Sequence, residues 1–485
     1  MRLPLLLLAL AALAPPAHAQ RRLVPEQYPT IQAAIDAAAD GDTVLVRDGR
    51  YVENVTFDGK EVVVASYFLL DRDLAHVEAT VIDGSSPASP DTGSVVRFLS
   101  GEGPGAVLEG FTLTGGTGTK WLDEHGAGTY QEGGGIIVAL ASPTIRYNRI
   151  VDNEAIRVCG GCQGAGGGGI RVGDGRPLIE HNVIADNDAM YGGGIVMNWT
   201  SGTIRNNVVV RNRVYPAVAG APTFNGGGLW LSGPNPASFG PTVVEHNVIA
   251  FNDSRAAGGA GTAGGVLLQQ TGLTVRHNII WGNTQQAGPG WSNQGGVTLT
   301  NSGYNDSEGQ LLNGTGNVSV DPLLDPATFA LGAGSPAIDA GDPAPAANDP
   351  EGAAPGFAAP PAQGTVRADM GVYGGPYART LADIPTAAND GPGAAGLHLR
   401  ATPNPFAESV ALTFELAAAG PVTARVYDVR GAHVTTLAGG LRPAGPQALV
   451  WDGRDAAGRP AAAGVYLYVV EAAGRRLTGR ATLVR

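Results

Sequence analysis

Between residues 144 and 283 the chain repeats one pattern of apolar and polar positions five times, at residues 144–153, 178–187, 203–212, 243–252 and 274–283. Each segment opens on a short run with an aliphatic residue at its centre, meets an Asn, continues through a second aliphatic run, and closes on another Asn. Alternation over so few residues predicts short β-strands broken by turns. Each segment is matched to a glycine run closed by an aliphatic residue, at 133–136, 167–170, 192–195, 226–229 and 264–266. The spacing between segments varies while their cores stay constant. Helical repeats hold a fixed period, whereas stacked β-coils fix their strands and let corner loops vary. The register then places Ile145, Ile179, Ile204, Val244 and Val275 in one interior column. It also places Asn148, Asn182, Asn207, Asn247 and Asn278 in a side-chain amide ladder at a turn, a place for Asn because it tolerates the left-handed region.

The fold class this predicts is all-β: a right-handed parallel β-helix solenoid, to which the C-terminal strand runs add a small β-sandwich. One column tests the register. The residue two before each central Asn reads Arg146, Glu180, Arg205, Glu245, Arg276. Rungs about 4.8 Å apart would set like charges against each other, and alternation relieves this as an outward ion-pair ladder. Ahead of the coils, Ile31 and Ile35 in the run after Thr30 are spaced for a short amphipathic helix near 31–39 that caps the first coil.

The ends of the chain have other signatures. Residues 1–19 read as a signal peptide: Arg2, an apolar run over 5–13, then Ala17-His18-Ala19. No later stretch is apolar enough for a transmembrane anchor, so the expected location is secreted or outer cell surface. The β-helix with its helical cap is assigned to 20–340. A Pro/Ala/Gly-rich linker is assigned to 341–400, including a closing segment at 365–376. Strand-like alternation returns at 410–416, 423–429, 447–451 and 465–470, giving the sandwich at 401–485.

Composition narrows the function. The 73 glycines and 34 prolines suit a turn-rich β protein. A net charge of −12 argues against a nucleic-acid partner and against direct docking of polyanionic sugars unless a cation such as Ca2+ bridges them. No cofactor is otherwise indicated. The only cysteines, in Cys159-Gly160-Gly161-Cys162, read as a small disulfide in an oxidising compartment; a redox CxxC lacks its βαβ context, and zinc lacks further ligands.

The segment Tyr28-Pro-Thr-Ile-Gln-Ala-Ala-Ile35, with Gly41-Asp-Thr-Val-Leu-Val46 and Tyr51-Val-Glu-Asn54, resembles the opening of pectin-lyase-like parallel β-helix proteins. Gly334-Ser-Pro-Ala-Ile-Asp-Ala-Gly341 and Ala368-Asp-Met-Gly-Val-Tyr-Gly-Gly375 resemble the closing segment of surface β-helix proteins with a choice-of-anchor Q domain. Pro403-Asn-Pro-Phe406, Val426-Tyr-Asp-Val-Arg-Gly431, Trp451-Asp-Gly-Arg-Asp-Ala-Ala-Gly458 and Gly464-Val-Tyr-Leu-Tyr468 are similar to the type A sorting domain of type IX secretion, related to the immunoglobulin-like domain of flagellar hook-capping proteins. That resemblance implies secretion machinery as a partner. No run resembles the polygalacturonase or pectate-lyase motifs, so no family catalytic residue is carried over.

Site candidates therefore rest on chemistry and register. The loops between each closing Asn and the next glycine run hold Trp121, Tyr130, Tyr191, Tyr215 and Trp291, which either stack on sugar rings or pack the loops down. The stretch 120–132 holds Lys120, one of two lysines, and His125; either suits the base of a glycan lyase. Asp152 stacks under Asp186, and Glu154 under Asp188, giving paired carboxylates about 5 Å apart, as in a retaining glycosidase or half of a Ca2+ site. Lys120, His125, Asp152 and Asp186 are thus the catalytic candidates, and Glu154 and Asp188 the metal candidates. The alternative for the acidic rungs is a solvated face neutralised by Arg211 and Arg213. Three functions stay open: binding of extracellular polysaccharide, a polysaccharide lyase or glycoside hydrolase, and a non-catalytic scaffold or adhesin.

Overall fold

A computed structural model describes residues 19–123, 125–155, 159–214, 226–232, 240–254, 263–269, 272–284, 291–293, 299, 302–309, 311–325, 327–381, 400–402, 406–416, 419–428, 432–472 and 475–484. The chain divides into two compact units, Met1–Ile384 and Pro385–Arg485.

The first unit is a parallel β-helix. One coil runs through Ile136–Ala139, Thr144–Arg146 and Arg149–Val151, each strand belonging to a different sheet. The first sheet has nine parallel strands, from Arg21–Val24 to Leu273–Arg276. The second also has nine, from Gly49–Tyr51 to Asp306–Ser307, and the third has eight, from Val55–Thr56 to Trp291–Asn293. Strands stay short because each coil must turn three corners. Within them the period of two sends one aliphatic residue inward per rung. The column Ile145, Ile179, Ile204, Val244, Val275 pairs in the expected register and is fully buried. Each such side chain contributes roughly 1.5–3 kcal/mol of transfer free energy.

Two amide ladders run along this core. Asn148 N–H and Nδ2 both donate to Asn182 Oδ1, at 3.0 and 3.2 Å, and the pattern continues through Asn207, Asn247, Asn278, Asn305 and Asn317. The closing Asn153, Asn187, Asn212, Asn252 and Asn283 form a second ladder of the same kind. One detail differs from expectation. The left-handed residue is not the Asn but the one before it: Tyr147, His181, Asn206, His246 and His277 have φ of 54, 54, 49, 52 and 57°. The amide must point inward to bond along the stack, so the reversal falls one residue earlier. Asn148 Nδ2 then bridges back to Arg146 O at 2.9 Å, holding Tyr147 in a conformation that costs an L-residue about 1–2 kcal/mol.

The helix Ile31–Ala37 closes the first coil. Thr30 caps it, its side chain accepting from Ala33 N–H, and Ile31, Ala34 and Ile35 join the core. Residues 341–381, expected as part of a linker, are instead folded along the outer face of the second sheet. Asn206 Nδ2 donates to Val372 O and Gly374 O, both at 2.9 Å, and Gly371 N–H to His277 O at 2.7 Å. The cause is the apolar outer face of that sheet: Val183, Val208, Val248 and Ile279 pack under Phe329, Met370 and Val372. Residues 382–399 lie outside the described ones.

The second unit is a sandwich of antiparallel strands. Arg400–Thr402, Val410–Leu416 and Gly445–Trp451 form one sheet; Gly420–Asp428, His433–Arg442, Gly464–Ala472 and Arg475–Leu483 form the other. Its core is built on Phe406, Leu412, Phe414, Val426, Leu449, Trp451 and Val470.

Candidate functional site

Among the described residues the most elaborated loop is a hairpin, Gly118–Leu122 with Thr129–Glu132, standing before the third sheet. Trp121 pairs directly with Tyr130, so the two rings share one face of the ribbon, and both are half-buried. Buried Asp123 shapes the tip, its Oδ1 accepting from His125 N–H at 2.9 Å and Ala127 N–H at 3.3 Å. Tyr130 Oη is held by Ala127 O at 3.0 Å. The tip delivers the His125 ring onto Trp199, 4.1 Å between centroids and 10° from parallel, with Nε2 3.5 Å from Asp174. Trp121, Tyr130, His125 and Trp199 thus give this edge aromatic surface that water reaches.

Tyr191 does not belong to that surface. It is 5% exposed, its hydroxyl donating to Glu132 Oε1 at 2.7 Å, and Glu132 is ion-paired with buried Arg171 at 2.8 Å. Burial and the Glu132 carboxylate push its phenol well above its ordinary value. Trp230 meets Tyr191 edge-on at 5.1 Å. Gly166 lies flat beneath the ring, where a Cβ would collide with it, which accounts for one glycine of the run. Tyr191 is therefore a clamp for the loops and not a sugar platform. Tyr215 lies outside the described residues, and Trp291 sits in a third-sheet strand whose side chains are likewise outside them.

The acidic rungs have the expected register: Glu154 pairs with Asp188, Asp188 with Arg213, and Arg213 with Asp253. Asp186 is held by Arg211 through two bonds of 3.1 and 2.9 Å, and buried Asp188 by Arg213 at 3.2 Å. These arginines supply the countercharge that a bound cation would. Among the described residues no three His, Cys, Asp or Glu side chains gather to hold a metal.

The four catalytic candidates are not brought together. Lys120 Nζ lies 3.8 Å from Asp91, His125 is engaged with Trp199 and Asp174, and Asp186 with Arg211. Trp199 and Asp174 follow third-sheet strands, at their far ends. The turn bearing Asp152 lies at the opposite end of that sheet, where Glu154 N and Asn153 Cβ border Gly134. Cys159 and Cys162 form a disulfide, with Cα atoms 5.4 Å apart.

A second edge carries stacked Tyr and His side chains that the pattern reading passed over. The left-handed position before each central Asn stacks Tyr147 on His181 at 4.9 Å, and His246 on His277 at 4.4 Å. Their signal was the His or Tyr repeated immediately before the Asn. Residues 341–381 cover much of this column: His181 Nε2 donates to Tyr377 O at 2.7 Å, and His277 Nε2 accepts from Asp342 N–H at 3.0 Å. Burial lowers His277 to about 4 and holds His246 well below its ordinary value. It also raises the covering segment's Asp349 to about 8 and Asp369 to about 6. At the end of the cover lies a cavity of about 440 Å³, lined in part by its Arg379 and Thr380, and beneath the cover lies one of about 250 Å³.

Two regions of the chain match known families. Residues 129–310 match the right handed beta helix region, and residues 403–475 the FlgD Ig-like domain. The solenoid is accordingly a right-handed parallel β-helix, and the C-terminal unit an immunoglobulin-like sandwich. No curated protein matches the sequence. Dimeric latent PorU from Porphyromonas gingivalis is similar over 18% of this chain at 23% identity and a TM-score of 0.16; the chain spans 9% of that protein's length. Pectin methylesterase from carrot is similar over 58% of this chain and 88% of its own, at 12% identity and a TM-score of 0.27. A pectin methylesterase in complex with hexasaccharide VII is similar over 64% of this chain and 94% of its own, again at 12% identity and 0.27.

Proposed function

We propose that this is a secreted or cell-surface protein whose β-helix binds extracellular polysaccharide along the hairpin edge. The observation that carries the reading is the cross-strand pair Trp121–Tyr130 beside the His125–Trp199 stack. Rings held rigidly at a solvent-facing edge lose little entropy on binding and suit the apolar faces of sugars. A lyase or hydrolase has less support, because Lys120, His125 and Asp186 are each committed to a separate partner. Export is proposed through the N-terminal apolar segment and a type IX-like sorting role of the C-terminal unit. The Cys159–Cys162 disulfide favours an oxidising compartment. The site is tested by affinity electrophoresis of the wild type against Trp121→Ala and Tyr130→Ala in gels cast with polysaccharide. Retardation that both substitutions weaken supports the edge, and retardation that neither changes moves the site elsewhere.

A further inference from the structure

The 440 Å³ cavity on the other edge is formed by four stretches far apart in sequence. The short helix Phe68–Asp71, inserted between coils, supplies Phe68, and the left-handed residue that ends it is Arg72. The turn before the Asn ladder supplies Arg146 and Tyr147, the next rung Glu180, and the end of the covering segment Arg379 and Thr380. Tyr147, half-buried, is the ring of the stacked column at this cavity, 5.0 Å from the ring of Phe68.

Its charge runs against the rest of the protein. Three guanidiniums and one carboxylate, Glu180, line a cavity in a chain of net charge −12. Glu180 is already paired with Arg205 at 2.7 Å. Behind the wall, fully buried Glu109 accepts from both Arg72 and Arg146, the latter at 2.7 Å. That pairing fixes the two arginines: Arg72 packs 5.1 Å from the Phe68 centroid and 5.9 Å from that of Tyr147. Arg379 is exposed, and among the described residues its guanidinium meets the neighbouring carbonyl of Ala378 and no carboxylate. A planar fork held at a cavity mouth, flanked by two positioned guanidiniums and by the Thr380 and Tyr147 hydroxyls, matches a carboxylate carried on a hydroxylated ring.

We infer that this cavity is a binding subsite for the uronate carboxylate of an acidic saccharide, with Arg379 as its bidentate partner. The inference takes its ligand class from the polysaccharide reading but places a separate, anion-selective site on a different edge. The cavity holds one or two sugar rings, within the usual size of small-ligand sites. It needs no bridging cation, contrary to what net charge suggests, because the local charge is positive.

Isothermal titration of the full chain with digalacturonate, its methyl ester and inorganic phosphate tests the assignment. Digalacturonate is expected to bind at least tenfold tighter than the uncharged ester, more weakly at higher salt, and to lose at least tenfold in Arg379→Ala. Arg379→Lys should recover only part of this, since an ammonium cannot form the fork. Equal binding of acid and ester, no binding of digalacturonate, or an unaffected Arg379→Ala overturns the subsite. Phosphate binding as tightly as digalacturonate overturns its saccharide assignment. Polymer retention that depends on Trp121 without digalacturonate binding would remove this subsite alone. Digalacturonate binding at Arg379 without such retention would remove the hairpin edge alone.

Discussion

Replacing Asn207 by Ala should open the β-helix locally at a cost of about 2–4 kcal/mol. Asn207 is fully buried, and its amide makes five hydrogen bonds. Oδ1 accepts from Asn182 N–H at 2.9 Å and Asn182 Nδ2 at 3.0 Å. Nδ2 donates to Ile179 O and Arg205 O, both at 2.9 Å, and to Asn247 Oδ1 at 3.1 Å. Several partners keep other bonds, since Asn182 Nδ2 still reaches Ile145 O and Asn247 Oδ1 still accepts from Asn207 N–H. The Asn182 N–H is left without its acceptor inside the stack, and an unsatisfied buried group costs roughly 1–3 kcal/mol. Loss of the bridge to Arg205 O also frees the left-handed Asn206, adding about 1 kcal/mol. Because stability in a solenoid is carried by neighbouring repeats, the loss should appear at adjacent rungs. Amide hydrogen exchange reads it there: at about 1.4 kcal/mol per tenfold, protection at Asn182 should fall by one to three orders of magnitude. Protection changed by less than a factor of about five would refute the ladder as a stabilising element.

The covering segment should make stability pH-dependent with a definite sign. Asp349 is raised to about 8, so its contribution is full below the ordinary carboxylate value and is lost as pH rises through about 8. His277, lowered to about 4, contributes fully above about 6.5 and loses it as pH falls toward about 4. Between pH 7 and 8 the carboxylate governs, and unfolding midpoints should fall by the equivalent of about 1 kcal/mol. Asp349→Asn should flatten that slope whatever it does to absolute stability; an unchanged slope would locate the dependence elsewhere. Tyr191→Phe removes the bond to Glu132 and should destabilise by about 1–2 kcal/mol in urea while leaving polysaccharide retention unchanged. A selective loss of retention would restore Tyr191 to the ligand surface. Trp121→Ala, by contrast, should weaken retention about tenfold with little effect on unfolding.

What the sequence made legible follows from the stack itself. Ile145 through Val275 and Asn148 through Asn278 occupy equivalent places in every rung, so their spacing carried the register, and the alternation of Arg146, Glu180 and Arg205 sits as the ion pairs require. The left-handed residue was misplaced by one because turn preference alone does not say which way the amide points. Residues 341–381 read as linker because Pro, Ala and Gly serve a linker and an irregular cover alike. The contrary signal was Val183, Val208 and Val248, aliphatic on the face that should have been outward. Tyr191 and Tyr130 were indistinguishable in sequence, since only packing over Gly166 and the bond to Glu132 separate a buried clamp from a half-buried ring. The Arg379 cavity joins stretches more than a coil apart, which no local pattern reveals.

The central claim, that the β-helix grips polysaccharide without cutting it, is tested most directly by incubating the mature chain with uronate-containing and neutral polysaccharides, with calcium added or chelated. Retention on at least one polymer, with no new reducing or unsaturated ends, is the predicted result. New unsaturated ends would make it a lyase and new reducing ends alone a hydrolase, while neither cleavage nor retention on any polymer would leave a scaffold, and each of these contradicts the claim.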